Sequence, residues 1–305
     1  MLILPTRRQV LTGLGASVLG LGASTGAYAF AIEPRFRLVV TPYSLTPPGW
    51  TPGLTLRVAV IADIHVCEPW MPLGRVAEIV DATNALAPDL VLLLGDYPAS
   101  RTVAWHKVPL PDLVRLFDGL KSPLGTYAVL GNHDWWDDRA AMVARRGPVE
   151  SHRLLEARGI PVLDNDARRL TKDGHPFWLA GLGDQEPFLP LGDPRSLADI
   201  PGTLARVTDD APVLLMAHEP DIFPKVPRRV SLTLSGHTHG GQIRMFGISP
   251  ALLGSSRERY AYGHVVEDGR HLIVSGGLGV SKVAVRFGVP PEIVLLTLGQ
   301  ASPTA

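Results

Sequence analysis

Leu56-Arg57-Val58-Ala59-Val60-Ile61-Ala62-Asp63-Ile64-His65 is a strand-length apolar run that stops on a carboxylate and an imidazole two residues apart. Its one charged residue is Arg57, and its apolar side chains predict a strand buried on both faces. The two-residue spacing puts Asp63 and His65 on one side of an extended segment. Outward from this stretch the pattern repeats. Asp89-Leu-Val-Leu-Leu-Leu94 ends in Gly95-Asp96, and Thr126-Tyr-Ala-Val-Leu130 ends in Gly131-Asn132-His133-Asp134. Val213-Leu-Leu-Met-Ala217 precedes His218, and Val230-Ser-Leu-Thr-Leu234 precedes Gly236-His237-Thr238-His239. Between the first runs, residues 75–86 (Val76, Ile79, Val80, Thr83) and about 111–120 have helical spacing.

Such strands, separated by helices, predict an α/β protein with a central sheet covered on both faces. Phe177–Leu182, His271–Ser275, Lys282–Phe287 and Glu292–Leu298 supply further strand candidates. There is no internal repeat and no linker between independent domains, so residues 54–300 read as one catalytic domain. The segment 240–298 is expected to complete a second sheet and part of a pocket.

The 305 residues carry 29 Lys+Arg against 29 Asp+Glu, a formal charge of zero. That removes any net electrostatic drive toward nucleic acid or anionic membrane. With 46% hydrophobic and 19% charged residues the composition is that of an ordinary globular chain. The lone cysteine, Cys67, excludes an internal disulfide and any multi-thiolate zinc or iron–sulfur site. The 28 prolines and 31 glycines predict many tight turns.

Residues 1–29 read as an export address. Thr6-Arg7-Arg8-Gln9-Val10-Leu11 resembles the twin-arginine signal, a Gly/Ala/Leu stretch without acidic residues follows, and Ala27-Tyr28-Ala29 is a small-x-small cleavage site. Gly13, Gly15, Gly20, Gly22 and Gly26 make the stretch a poor membrane-spanning helix. The expectation is a cut after Ala29, no stable span afterwards, and export to a periplasmic or other extracytoplasmic location. An uncut signal would leave the protein membrane-anchored. Removing Arg7 and Arg8 leaves 27 basic against 29 acidic residues, a net charge near −2. Residues 30–53, with Pro34, Pro42, Pro47, Pro48 and Pro52, are expected as an extended lead-in.

Five polar clusters thus follow five strands, where the loops of an α/β sheet gather ligands. Taken singly, Asp63 or Asp96 is as well explained by capping a helix, and His218 by an ordinary hydrogen bond. Together they make a mixed oxygen and imidazole set without thiolate, which suits Mn, Fe or Zn in a working site. Seven groups exceed the needs of one tetrahedral ion and match two ions sharing a carboxylate.

The sequence resembles the calcineurin-like metallophosphoesterases, whose pattern D-x-H, GD, GNH[DE], H and GHxH is met in order. Gly236-His-Thr-His-Gly-Gly-Gln242 and Arg286-Phe-Gly-Val-Pro-Pro-Glu292 are most similar to the exported bacterial phosphodiesterase branch of YkuE and YaeI type. The resemblance implies an αββα sandwich of two packed mixed sheets flanked by helices, with the metal site at one edge. It also implies one ion on Asp63, His65, Asp96 and His239, and a second on Asp96, Asn132, His218 and His237, with Asp96 bridging. The ion pair would polarise a phosphoryl oxygen and activate a bridging water for in-line attack. His133 is then the catalytic residue, bonding the phosphate or protonating the leaving oxygen. Asp134 either orients that imidazole or only caps a helix. The acidic residue that many members carry three positions after the bridging aspartate is Ala99 here.

Other residues carry weaker expectations. Cys67, two residues after His65, either touches the metal site or is an inert, partly buried thiol. Trp135 and Trp136 form either an apolar rim for a lipid or nucleoside or plain packing. Arg286 either reaches a substrate phosphate or pairs with an acid. His106, His152, His175, His264 and His271 match no motif. The implied substrate is a phosphoester, whether lipid, envelope or nucleotide phosphate, and the implied partner is the twin-arginine export machinery. The alternative is a metal-binding protein of the same fold without efficient turnover.

Overall fold

A computed structural model describes residues 6–100 and 102–299; residues 1–5 of the expected signal and residue 300 of the expected domain lie outside them. The chain runs through helix α1 (Arg7–Ala27), a π-helical turn (Tyr28–Ile32) and α2 (Glu33–Phe36) into strand β1 (Val39–Leu45), β2 (Leu56–Ile61) and β3 (Cys67–Glu68). Then come α3 (Leu73–Ala85), β4 (Leu90–Leu93), β5 (His106–Lys107), α4 (Leu110–Leu116), β6 (Thr126–Ala128), α5 (Asn132–Trp136), α6 (Arg139–Ala144) and α7 (Glu150–Ala157). The second half holds β7 (Asp166–Lys172), β8 (His175–Gly181), α8 (Ile200–Leu204), β9 (Val213–Met216), β10 (Leu232–Ser235), β11 (Gly263–Glu267), β12 (Arg270–Val274) and β13 (Glu292–Leu298). No described helix is long and apolar enough to cross a membrane.

Two mixed sheets stack face to face. One has the order β1-β13-β2-β4-β6 and the other β11-β12-β10-β9-β8-β7. The period-two pattern of each strand explains the layers. Val58 and Val60 point between the sheets and meet Leu92, Phe177, Leu179, Leu214, Met216, Leu234 and Leu296 in one core. Ala59 and Ile61 point the other way, against Val76 and Ile79 of α3, Leu113 and Val114 of α4 and Leu155 of α7. The outer face of the second sheet is covered by Ile222, Phe223, Val226 and Tyr260 packed on Leu215, Leu272 and Val274. Both faces of β2, β4, β9 and β10 are therefore buried, which is why β4 and β9 run apolar without alternation. β10 is as buried although Thr233 and Ser235 alternate with its leucines. The four layers are those of the expected αββα sandwich.

Three expectations are corrected. Residues 30–36 of the lead-in are helical, and 39–45 form an edge strand parallel to β13. Pro42 is tolerated there because an edge strand can leave one side of its ladder unpaired. β13 joins the first sheet between β1 and β2 instead of completing the second, which is extended by the β11–β12 hairpin. Lys282–Phe287 is not a strand. Its one ladder contact is an isolated bridge from Phe287 to Ile243, and the segment wraps the site so that Arg286 is buried.

Candidate metal centre

The carboxyl ends of parallel β2, β4 and β6 in one sheet, and of β9 and β10 in the other, open on the same edge of the sandwich. Each strand ends before its polar residues, so the loops carry Asp63, His65, Asp96, Asn132, His133, His218, His237 and His239 toward one point. All the sequence-predicted site residues are brought together. Every one except His237 is buried.

The distances define two nests that meet at Asp96. His65 Nε2 lies 3.4 Å from Asp96 Oδ2 and 3.0 Å from His239 Nε2, which is itself 3.6 Å from Asp63 Oδ1. On the other side His218 Nε2 lies 3.3 Å from Asp96 Oδ2, and His237 Nδ1 lies 2.9 Å from Asn132 Oδ1. Ligand atoms of Asp63, His65 and His239 fall within 4.8 Å of one another, as do those of Asp96, His218 and His237. A third such group joins His133 to His65 and Asp96.

The backbone is bent to achieve this. Asp63, His65, Asp96, His237 and His239 all sit at left-handed φ, between 46° and 69°. Non-glycine residues there carry strain, which persists where surrounding structure holds it for function. The loops also approach too closely for side chains at two glycines. A Cβ at Gly131 would lie 2.4 Å from Asp96 Oδ1, and one at Gly236 would lie 2.4 Å from Asp63 Oδ2.

Hydrogen bonding fixes the imidazoles. His65 Nδ1 donates to the Pro98 carbonyl at 2.9 Å and His218 Nδ1 to the Leu94 carbonyl at 2.6 Å. A neutral ring whose Nδ1 donates keeps its Nε2 lone pair, and in both rings Nε2 faces the carboxylates. His218 Nε2 is buried without a hydrogen-bond partner among the described residues. Oriented lone pairs, buried carboxylates and no thiolate are a donor set that fits divalent ions such as Mn, Fe or Zn.

Electrostatics among the side chains follow from burial. Asp63 is pushed up to about 7, chiefly by desolvation and further by Asp96. Burial also opposes charge on Asp96, but His218, His133 and His65 outweigh it and hold this carboxyl well below the usual range. Burial drives His65 down to about 4 and lowers His239, with His65 and Arg286 adding to the latter.

The neighbouring residues sort out. Asp134 does not orient His133; its carboxylate accepts from the Gly131 and Asp96 backbone N–H groups, each at 2.9 Å, and from Ser151 Oγ at 2.7 Å. It caps α5 and ties two ligand loops together. The acid facing His133 is Asp137, with Oδ2 3.8 Å from Nδ1, an i,i+4 pair across α5. The sequence held that signal only as helical spacing. Arg286 reaches no open phosphate position: it is fully buried behind His239. Cys67 is free and fully buried, and burial raises its thiol. Trp135 packs edge-on against Phe188 in the core, whereas Trp136 lies beside the His133 ring. His264 and His271 pair with each other, away from the cluster.

Sequence reasoning missed Asp184 and Glu219, two buried acids behind His218. Glu219 adjoins a motif residue, but nothing along the chain links it to Asp184. It also missed Phe30, which lines the cavity at the cluster.

The calcineurin-like phosphoesterase family model matches residues 56–241. Over 302 residues the chain is 30% identical to the uncharacterized metallophosphoesterase YkuE of Bacillus subtilis (strain 168), covering 96% of this chain and 97% of that one. It is 29% identical over 254 residues to the phosphodiesterase YaeI of Escherichia coli (strain K12), covering 79% and 82%. Among solved structures it is similar to the NAD nucleotidase of Haemophilus influenzae, with a TM-score of 0.47 and 15% identity, covering 74% of this chain and 51% of that one.

Proposed function

The chain belongs to the calcineurin-like phosphoesterase family and is a metal-dependent phosphoric ester hydrolase, and from that premise we propose that it is a two-metal phosphodiesterase acting outside the cytoplasm. The observation that carries the two-metal reading is Asp96, whose single oxygen Oδ2 lies 3.4 Å from His65 Nε2 and 3.3 Å from His218 Nε2. One ion is assigned to Asp63, His65, Asp96 and His239, and the other to Asp96, Asn132, His218 and His237. Bound there, divalent ions supply Lewis acidity toward the phosphoryl oxygens and lower the pKa of an attacking water.

The protein's own groups do the rest. Carbonyls hold the His65 and His218 rings in the tautomer that aims Nε2 inward, so little reorganisation accompanies binding. Asp96 Oδ1 accepts from the His133 backbone N–H at 2.8 Å, which fixes that loop on the second ligand loop. His133 stands at the cavity edge, beside the cluster, where an imidazolium donates to a phosphate oxygen or to the departing alkoxide. Asp137 favours the charged ring at that position.

Export by the twin-arginine route rests on Arg7-Arg8 and the acid-free stretch behind them, with cleavage after Ala29. That cut leaves Phe30 and the buried Glu33 attached to the domain. Mass measurement of the exported chain tests it: a product starting at Phe30 is expected, and an intact amino terminus overturns the cut.

The test of function is metal content by mass spectrometry, together with turnover of bis-p-nitrophenyl phosphate and p-nitrophenyl phosphate with and without added Mn. Close to two ions per chain with diester cleavage is expected. Two ions without turnover on any ester favours a binding protein of the same fold. Failure to hold ions after reloading overturns the assignment.

A further inference from the structure

The ligand cluster forms the polar end of a cavity of about 610 Å³, within the size range of small-molecule sites. Phe30, Trp136, Leu189, Ile243, Leu252 and Val283 make an apolar stretch of the remaining wall, which also holds Glu186, Thr238, Gln242, Ser281 and Lys282. A phosphate seated on the cluster must lay one of its ester groups along this wall. A polar group laid against the apolar stretch would lose its water without gaining partners. Two of the polar side chains in the wall are already engaged by backbone. Gln242 donates to the Val283 carbonyl at 3.0 Å and accepts from Ser281 N at 2.7 Å, and Thr238 Oγ1 donates to the Ala261 carbonyl at 2.6 Å. Those two bonds fix the orientation of the Gln242 amide and leave it one further donor and one further acceptor site. Lys282 is the sole Lys or Arg among the lining residues.

A second observation lies at the mouth. The loop that supplies Ile243 and Leu252 turns tightly between them, with Met245 and Ile248 exchanging backbone hydrogen bonds at 2.9 and 3.0 Å. At the tip Phe246 is 99% exposed, and Met245, Ile248 and Leu253 are each at least half exposed. The base of this loop bridges to Phe287 through Ile243, and Tyr28 packs edge-on against Phe287. In the uncut chain this contact brings the segment bearing exposed Phe30, Ile32 and Phe36 beside the loop, and after the cut Glu33 still ties that segment to Val289 N. Rigid apolar side chains held outward around a cavity mouth mark a contact surface, and aromatic and aliphatic tips of this kind enter the acyl boundary of a bilayer.

We propose that the substrate is a lipid phosphoester taken from a membrane surface, its phosphate on the Asp/His cluster and its apolar chain along the Phe30–Trp136–Ile243–Leu252 wall, while the Phe246 turn enters the bilayer. The substrate half of this inference rests on the phosphoesterase reading. The hydrolysis is a balanced displacement: water adds its oxygen to phosphorus, the phosphorus–oxygen bond to one alcohol breaks, and the alcohol leaves with a proton. The Phe30 wall is held in place by the catalytic domain itself. After a cut behind Ala29 the tie that remains is Val289 N donating to Glu33 Oε1 at 3.0 Å; in the uncut chain Arg286 N also donates to the Ala29 carbonyl at 2.9 Å.

The experiment uses the full chain loaded with Mn and a series of alkyl p-nitrophenyl phosphates from methyl to dodecyl. A chain buried on this wall raises kcat/KM by roughly two- to fourfold per methylene until the cavity is filled. Ile243→Ser and Leu252→Ser lower the ratio of dodecyl to methyl kcat/KM. Equal kcat/KM along the series, or a preference for a cyclic nucleotide over the dodecyl ester, overturns the lipid inference and leaves the phosphoesterase reading standing. Cleavage of no ester by fully loaded protein removes the phosphoesterase reading instead. Binding is then read without turnover. Calorimetric titration is expected to show dodecyl phosphate binding more tightly than methyl phosphate, and equal affinities overturn the wall assignment. Co-sedimentation with vesicles of equimolar phosphatidylethanolamine and phosphatidylglycerol tests the turn. Phe246→Asp lies on an exposed tip and is expected to weaken association by about tenfold or more, with an unchanged far-UV spectrum. Unchanged sedimentation overturns the membrane contact.

Discussion

Arg286 Nη2 lies 3.2 Å from His239 Nδ1, and both side chains are buried. As a hydrogen bond this contact makes Nδ1 the acceptor and leaves a neutral ring's proton on Nε2, so holding an ion through Nε2 requires His239 to give the contact up. The same guanidinium donates to the carbonyls of Gly276, Gly279 and Val289 at 2.5–2.9 Å. Arg286 is therefore the peg on which the carboxyl-terminal loop is hung behind His239. Its charge is balanced by nearby Asp63, Glu292 and Glu33, and burial lowers its pKa to about 10.

Arg286→Met is expected to lower unfolding free energy by about 2–4 kcal/mol, because three buried carbonyls lose their donor and three buried acids lose the nearby charge. Arg286→Lys should recover little of it, since one ammonium cannot reach four acceptors in a plane. Urea unfolding followed by tryptophan fluorescence measures both. Wild-type stability in either variant would remove Arg286 from this structural role.

Asp96→Asn keeps the Oδ1 acceptor for His133 N but removes the negative charge between the two nests. Bound metal should fall from two ions to one or none, and diester turnover should drop by roughly a thousandfold or more, as loss of Lewis-acid stabilisation requires. Two ions with wild-type turnover would show that Asp96 does not bridge.

The Asp/His cluster was legible because its residues follow strand ends, which Leu90–Leu93 and Val213–Met216 announce by unbroken apolar runs and Leu56–Ile61 by a run broken only at Arg57. What stayed hidden depends on contacts far apart in the chain. Glu292 opens a strand whose place between β1 and β2 is set by Thr41 and Tyr262 bonding its carboxylate across the sheet edge. No local pattern encodes that insertion. Pro42 masked an edge strand, and the apolar spacing of Lys282–Phe287 mimicked one although its residues close over the site. Phe30 looked like the first residue past a cleavage site; only the bonds from Arg286 and Val289 reveal it as cavity wall.

His133→Ala should keep both ions and lose most of kcat, because the ring stands at the edge of the ligand set beside the open cavity. Asp137→Asn should keep both ions and KM while lowering kcat by about tenfold, as expected when a partner that orients and charges an imidazole is neutralised. Steady-state kinetics with metal analysis separates these outcomes. Loss of metal in His133→Ala would make this ring a ligand, consistent with its reach toward His65 and Asp96.

His264 Nε2 and His271 Nδ1 lie 3.0 Å apart across the β11–β12 hairpin. Burial lowers both rings below the usual histidine value, and each ring's partner can donate to it only while at least one stays neutral. The folded state thus binds fewer protons here than the unfolded chain does. Stability contributed by the pair is fully present above about pH 6.5 and is lost as pH falls below that value. His271→Gln still offers a hydrogen-bonding amide but cannot acquire charge. Its unfolding midpoint should therefore fall less than that of the wild type between about pH 7.5 and about pH 5.5. Thermal unfolding of metal-loaded protein at the two pH values decides it. Parallel shifts in the two proteins would mean that the pair titrates alike in the folded and unfolded chains, and that acid sensitivity arises elsewhere.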